Sequence, residues 1–253
     1  MNWKIYWKGL EDKIMKEYIV DTHTHTLASG HAYNTILEMA KAADDKGIKI
    51  LGITDHSKAM PGASGDFYFM NLKAMDREAY GVELLLGVEL NIIDYNGKVD
   101  LPTKYIKELD IVIASLHTPC LKPGTKEENT NTLIKCCENP YIHIIGHPDD
   151  GNYEIDMEQV VLAAKKTGTL LELNNNSIVF RMNARENDKK MLKLCKEHNV
   201  PIVIGSDAHA AGKVGENSNA LELVKEVDFP EELILNYYPD KLKEYLSKNW
   251  YTL

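Results

Sequence analysis

Long apolar runs, paired-cysteine motifs and an excess of basic side chains are all missing from this chain, and each absence removes a class of function. No uninterrupted apolar stretch approaches the ~18 residues that a membrane helix needs, so a membrane-spanning protein is not expected. The four cysteines, Cys120, Cys136, Cys137 and Cys195, form no Cys-x-x-Cys, and a long chain with so few has no disulfide framework to read. They are expected to be reduced, with Cys136 and Cys137 acting as small hydrophobes on a helix and Cys120 alone near the chemistry. A formal net charge of -9 argues against stable nucleic-acid binding, because neutralising phosphates takes a basic surface. A small anionic substrate stays open, since bound cations reverse the field locally. Glycine-rich phosphate loops and dinucleotide fingerprints are absent as well, and no activated Ser or Cys nucleophile is apparent. The stretch from Met1 to Lys8 carries no apolar core and no small-residue cleavage site, so cytoplasmic residence is the expectation.

What the chain does contain is a repeated alternation. Short Ile/Val/Leu-rich runs at 18–20, 48–54, 84–88, 110–116, 141–146, 169–173 and 201–206 read as strands. Between and after them, 34–46, 71–80, 102–109, 126–138, 157–167, 188–198, 217–226 and 239–249 read as helices, two closed by Gly47 and Gly168. Strands alternating with helices predict a parallel sheet buried on both faces. Seven such units in 253 residues predict an α/β fold built as a distorted seven-stranded β/α barrel of the TIM-like kind, with a doubly wound open sheet as the alternative. Residues 57–70 form a loop long enough to be a lid, and Asn96-Gly97 predicts a type I′ hairpin. Residues 1–17, with Trp3, Tyr6 and Trp7, read as an extension packed outside a domain of 18–253.

The polar residues that follow these strands share one chemistry. His23 and His25 come after the first strand, and alternation puts them on one face, placed to hold a divalent ion. His31 follows closely. The later strands end in His56, Glu89, His117, His147 and then Asp207 with His209. A barrel assembles its active site at these carboxyl ends. Nine imidazole and carboxylate groups exceed what one ion takes, so two or three ions are expected. Two histidines are set aside: His143 as a core or supporting residue, His198 as a helix C-terminal residue favoured by the dipole. Asp21 and Asp55 are candidate acceptors for the second ring N–H of a ligand histidine, while Glu172 and Asn174 either face the site or hydrogen-bond within the barrel.

The series Asp21-Thr22-His23-Thr24-His25-Thr26, His31, Thr54-Asp55-His56, Gly87-Val88-Glu89, Ser115-Leu116-His117, Gly146-His147-Pro148 and Gly205-Ser206-Asp207-Ala208-His209 resembles the polymerase-and-histidinol-phosphatase (PHP) family. The likeness is strongest to its stand-alone bacterial phosphatases, and also takes in Asn174-Asn175, 153–156 and 228–230; the extension departs from that branch. The resemblance implies the PHP barrel with three metal ions, usually zinc, with manganese or iron as other possibilities. By it, His23, His25, Glu89 and Asp207 hold the first ion, Glu89 bridges to a second completed by His117 and His147, and His31, His56 and His209 hold the third.

With no side-chain nucleophile, the metals are expected to do the chemistry: hydroxide held at the pair bridged through Glu89, beside Asp207, attacks phosphorus. Phosphomonoester hydrolysis of a small phosphorylated substrate is the leading expectation. A phosphodiesterase or nuclease of the same family, an amidohydrolase-type C–N hydrolase and, last, a non-enzymatic metal-binding protein are the alternatives. Arg181 and Arg185, after the sixth strand, are candidate phosphate grips. The leaving group and the oligomeric state are not readable.

Overall fold

The computed structural model describes residues 17–248. The extension proposed for 1–17, except Glu17, lies outside the described residues. Among those described, strands β1 (Val20–Asp21), β2 (Ile50–Ile53), β3 (Glu78–Ala79), β4 (Val82–Leu86), β5 (Val88–Asn91), β6 (Val112–Ser115), β7 (Ile144–Ile145), β8 (Leu170–Asn174) and β9 (Ile202–Gly205) form two sheets. One has the order β1-β2-β4-β3 and the other β5-β6-β7-β8-β9, and every pairing is parallel apart from β3 with β4. The helices are α1 (Ile36–Asp45), α2 (Asp66–Asn71), α3 (Thr103–Ile106), α4 (Lys126–Cys137), α5 (Met157–Thr167), α6 (Ser177–Phe180), α7 (Ala184–His198), α8 (Ser218–Glu226) and α9 (Pro239–Lys248).

Local chemistry explains these boundaries. Thr35 with Glu38, and Thr125 with Glu128, make reciprocal capping boxes that start α1 and α4. Gly168 closes α5 at φ 80°, a left-handed angle glycine takes without penalty. Three expectations need correcting. The strand expected at 84–88 is two strands in different sheets, parted at Gly87, where a side chain would meet the Ile111 carbonyl at 2.1 Å. The helix expected at 71–80 is the end of α2, a 3-10 turn and β3, which folds back on β4 through Tyr80-Gly81 because both residues adopt positive φ. Asn96-Gly97 is not a two-residue turn; Asp94 takes the Asn96 and Lys98 amides on its carboxylate, and Gly97 closes a longer loop.

The sheets meet at two seams. At one, Thr24 bridges to Ala208 and the Asp207 amide donates to the His23 carbonyl at 2.9 Å; at the other, His56 bridges to Glu89. Both seams therefore run through the candidate ligands. Alternation along the strands separates two apolar clusters. Val112, Ala114, Leu171 and Leu173 pack outward with α4, α5 and α7, whereas Val20, Ile111, Ile113, Ile144, Leu170 and Val203 form a smaller cluster with Leu242 and Leu246 of α9. Along β8, the face that starts with Leu170 in this smaller cluster continues as Glu172 and Asn174. The same face of β9 runs from Val203 to Gly205. Apolar packing thus gives way to polar groups toward the carboxyl ends, and Glu172 and Asn174, both buried, stand on that side.

Candidate metal centre

Each strand end delivers its side chain within a few residues of its last paired position. The nine candidate ligands gather there as a chain of close contacts. The His23 and His25 Nε2 atoms are 3.0 Å apart, and His25 Nε2 is 3.1 Å from Asp207 Oδ1. Glu89 is the hub: Oε2 lies 3.3 Å from His23 and 2.8 Å from His56, while Oε1 lies 3.3 Å from His117 and 2.9 Å from His147. His209 stands 3.5 Å from Asp207 Oδ1, and its Nε2 is 3.1 Å from that of His31. Three sets have mutually adjacent donor atoms: His23, His25 and Asp207; His56, Glu89 and His117; His25, His56 and His209. His31 and His147 adjoin them through His209 and Glu89.

The other ring nitrogens decide what these donors can do. His23 Nδ1 donates to Glu172 Oε1 at 2.7 Å. His25 Nδ1 donates to Ser29 Oγ, whose own proton goes to Asp55. His117 Nδ1 donates to Asn91 Oδ1, because the Asn91 amide nitrogen is committed to Asp100 and the Ser57 carbonyl. With those protons placed, the inward nitrogens of neutral His23, His25 and His117 carry only lone pairs, and they face each other or the carboxylates. His56 Nδ1, buried and 2.8 Å from Glu89, makes no hydrogen bond. Lone pairs facing lone pairs repel unless a cation lies between them. The donor set, imidazole nitrogen and carboxylate oxygen, fits divalent zinc, manganese or iron.

Electrostatics agree. Burial alone would push the Glu89 carboxyl up, but His56, His23 and His117 outweigh it and hold the group well below the ordinary carboxylate range. Asp207 is held low against its burial by His23 and His25. Burial drives His25 well below the usual imidazole value and takes His117 down to about 3. His23 moves the other way: burial lowers it, yet Glu172, Glu89 and Asp207 together hold it well above.

Glu172 does more than the sequence could assign. It orients His23, takes the His147 amide on Oε2 and receives Asn174, which also reaches Asp207. Gly205 leaves the space it fills, since a Cβ there would come within 2.1 Å of Glu172 Oε1. Asn91, Ser57 and Asp100 went unrecognised; their only signal was polarity near a strand end. Asp21 and Asp55 do not bond to a ring directly. Asp21 takes the Ser206 and Gly215 amides, fastening a seam, and Asp55 reaches His25 through Ser29. His147 and Asp207 have φ of 28° and 53°, strained angles for residues with side chains. His143 accepts from the Val112 amide outside the cluster, as expected of a core histidine.

The two arginines part company. Arg181 donates to His147 Nδ1 at 3.0 Å and stands 3.7 Å from Asp207. Arg185 is instead on the surface, paired with Glu222 and Glu226 at 2.8 and 2.9 Å, and is not part of the centre.

The PHP domain family matches residues 21–248. The chain belongs to the PHP family. This PHP domain is 48% identical over 230 residues to a protein of Clostridium botulinum named "Probable phosphatase", covering 91% of this chain and 95% of the relative. A protein of the same name from Acetivibrio thermocellus is 46% identical over 232 residues, covering 92% and 96%. Among solved structures, the PHP fold here is similar to histidinol phosphate phosphatase of Lactococcus lactis, complexed with zinc, L-histidinol and phosphate, at TM-score 0.57 and 18% identity, covering 84% and 95%. It also resembles a chain of archaeal ribonuclease P with mature tRNA at TM-score 0.59 and 15% identity, covering 90% of each. At those identities the structural likeness speaks for the fold.

Proposed function

We propose that this PHP domain is a metal-dependent phosphatase that hydrolyses phosphomonoesters of small molecules. The observation that carries the reading is the set of buried imidazoles whose outer nitrogens are committed and whose inner lone pairs converge on Glu89 and Asp207. Three divalent ions, zinc foremost, would be held by His23, His25, Glu89 and Asp207; by Glu89, His117 and His147; and by His31, His56 and His209. When bound, such ions supply an ionised water near neutral pH and neutralise phosphoryl charge. Glu89 has two oxygens facing different histidines, which suits a shared ligand. Glu172 and Ser29 keep two rings in one tautomer and one orientation. Arg181, beside Asp207, presents a planar fork to phosphate oxygens. Burial pushes the Cys120 thiol up to about 12, which disfavours it as a nucleophile.

The seven-stranded barrel is part of this proposal: β4 and β5 are two arms of one bent strand, β3 is an excursion, and the seams at Thr24 and His56 close the two sheets into one distorted barrel. Residues 18–253 then form the domain and 1–17 an appended segment. Test the purified protein against a panel of phosphorylated metabolites. Chelation should abolish phosphate release, zinc or manganese should restore it, and elemental analysis should approach three equivalents. Glu89→Gln should lower activity at least a thousandfold and release metal. Equal hydrolysis by metal-free protein would overturn the reading.

A further inference from the structure

His31 and His209 come from loops far apart in the chain, yet their Nε2 atoms lie 3.1 Å apart. The Nδ1 of neutral His209 donates to the Asp207 carbonyl at 2.9 Å, so the nitrogen facing His31 carries only a lone pair. The two rings keep this approach only if their loops do. The Tyr33 amide donates to the His209 carbonyl at 3.0 Å, which joins the loops through backbone alone. Asn34 adds a side chain: its Oδ1 accepts the Ala211 amide at 2.8 Å, two residues beyond His209. Its own carbonyl accepts the Leu27 amide at 2.9 Å, folding the His31 loop back on its start.

Asn34 is oriented from behind. It directly precedes Thr35, the cap of α1, and the Glu38 carboxylate of that capping box is held below its ordinary range by Thr35 and, after it, by Asn34. The Asn34 amide nitrogen thus faces Glu38 while its oxygen faces the loop of His209. Past the other end of α1, Lys46 Nζ donates to the Gly212 and Val214 carbonyls, both at 2.7 Å, so the segment after His209 is tied to both ends of this helix. Asn34 is the part-buried tie and holds the residue nearer the ligand, whereas Lys46 is exposed. Resting on the reading of three ions proposed above, we propose that Asn34 is the positioning residue of the third: it holds the His31 and His209 loops together so that both rings meet one ion.

Zinc titration with elemental analysis tests this without reference to turnover. Asn34→Ala should weaken one equivalent about tenfold, as loss of a partner behind a ligand does, and leave the other two as in the wild type. Asn34→Asp keeps an acceptor for the Ala211 amide and should restore the third ion. Three ions held equally by the wild type and Asn34→Ala would overturn the inference and leave the three-ion reading intact. Equal weakening of all three, or no rescue by Asn34→Asp, would also overturn it, because either marks a general loosening of the fold. A wild type that binds only two ions would defeat both readings. Selective loss of one ion from Asn34→Ala, in a protein that releases phosphate from no ester, would support the inference and defeat the phosphatase reading.

Discussion

The inner and outer halves of the histidine cluster are held by different means. His23, His25 and His117 are buried, and each fixes its ring through a side chain distant in sequence: Glu172, Ser29 with Asp55 behind it, and Asn91. His209, part-exposed, bonds instead to the carbonyl of Asp207 two residues back, and His31 is exposed on the loop after Gly30. A ring held across the fold keeps its orientation when the local backbone moves; a ring held by its own loop moves with that loop. The inner half should therefore retain its ions and the outer half exchange them.

Glu172→Gln attacks the inner half and should have the larger effect of the two. It preserves shape but removes the charge behind His23, so metal affinity should fall 10- to 100-fold, with activity following. Equilibrium dialysis against a zinc chelator measures it, and an unchanged affinity would erase the distinction between the halves. His31→Ala attacks the outer half. Of the zinc bound, one equivalent should be lost, with roughly tenfold weaker retention, and the remainder should resist chelation as in the wild type.

His143 asks what a buried imidazole does away from the cluster. Burial lowers its pKa from 6.5 to about 4. The unfolded chain therefore binds one more proton between those values, so this residue's stabilisation is present above pH 6.5 and is lost as pH falls toward 4. His143→Gln should reduce the slope of unfolding free energy in that window by up to about 1.4 kcal/mol per pH unit, read by urea denaturation, with metal content unchanged. Arg185→Ala should change least. Its partners are exposed surface carboxylates, so kcat/KM should stay within about twofold and the urea midpoint should barely move.

How much of this was legible in the sequence follows from which contacts are local. Ligands that follow directly on an apolar run could be found, because the run marks the strand and the polar residue marks its end. The partners of those ligands could not: Asn91, at the end of β5, meets Asp100 and Ser57 only after two separate loops reach it. Nor could Arg181 be told from Arg185 four positions on. Asn183, at φ 55°, turns the chain between them, so one stays at the centre while the other enters α7 opposite α8. The division at Gly87 was hidden because an unbroken apolar run is the same whether it pairs in one sheet or two.

Gly205 offers a last consequence. Any larger residue there would collide with the carboxylate that steadies His23, although position 205 itself supplies no donor, no charge and no reacting atom. In a saturation screen it would score alongside the ligands themselves, and a methyl group would act on this enzyme as an inhibitor built into the wall.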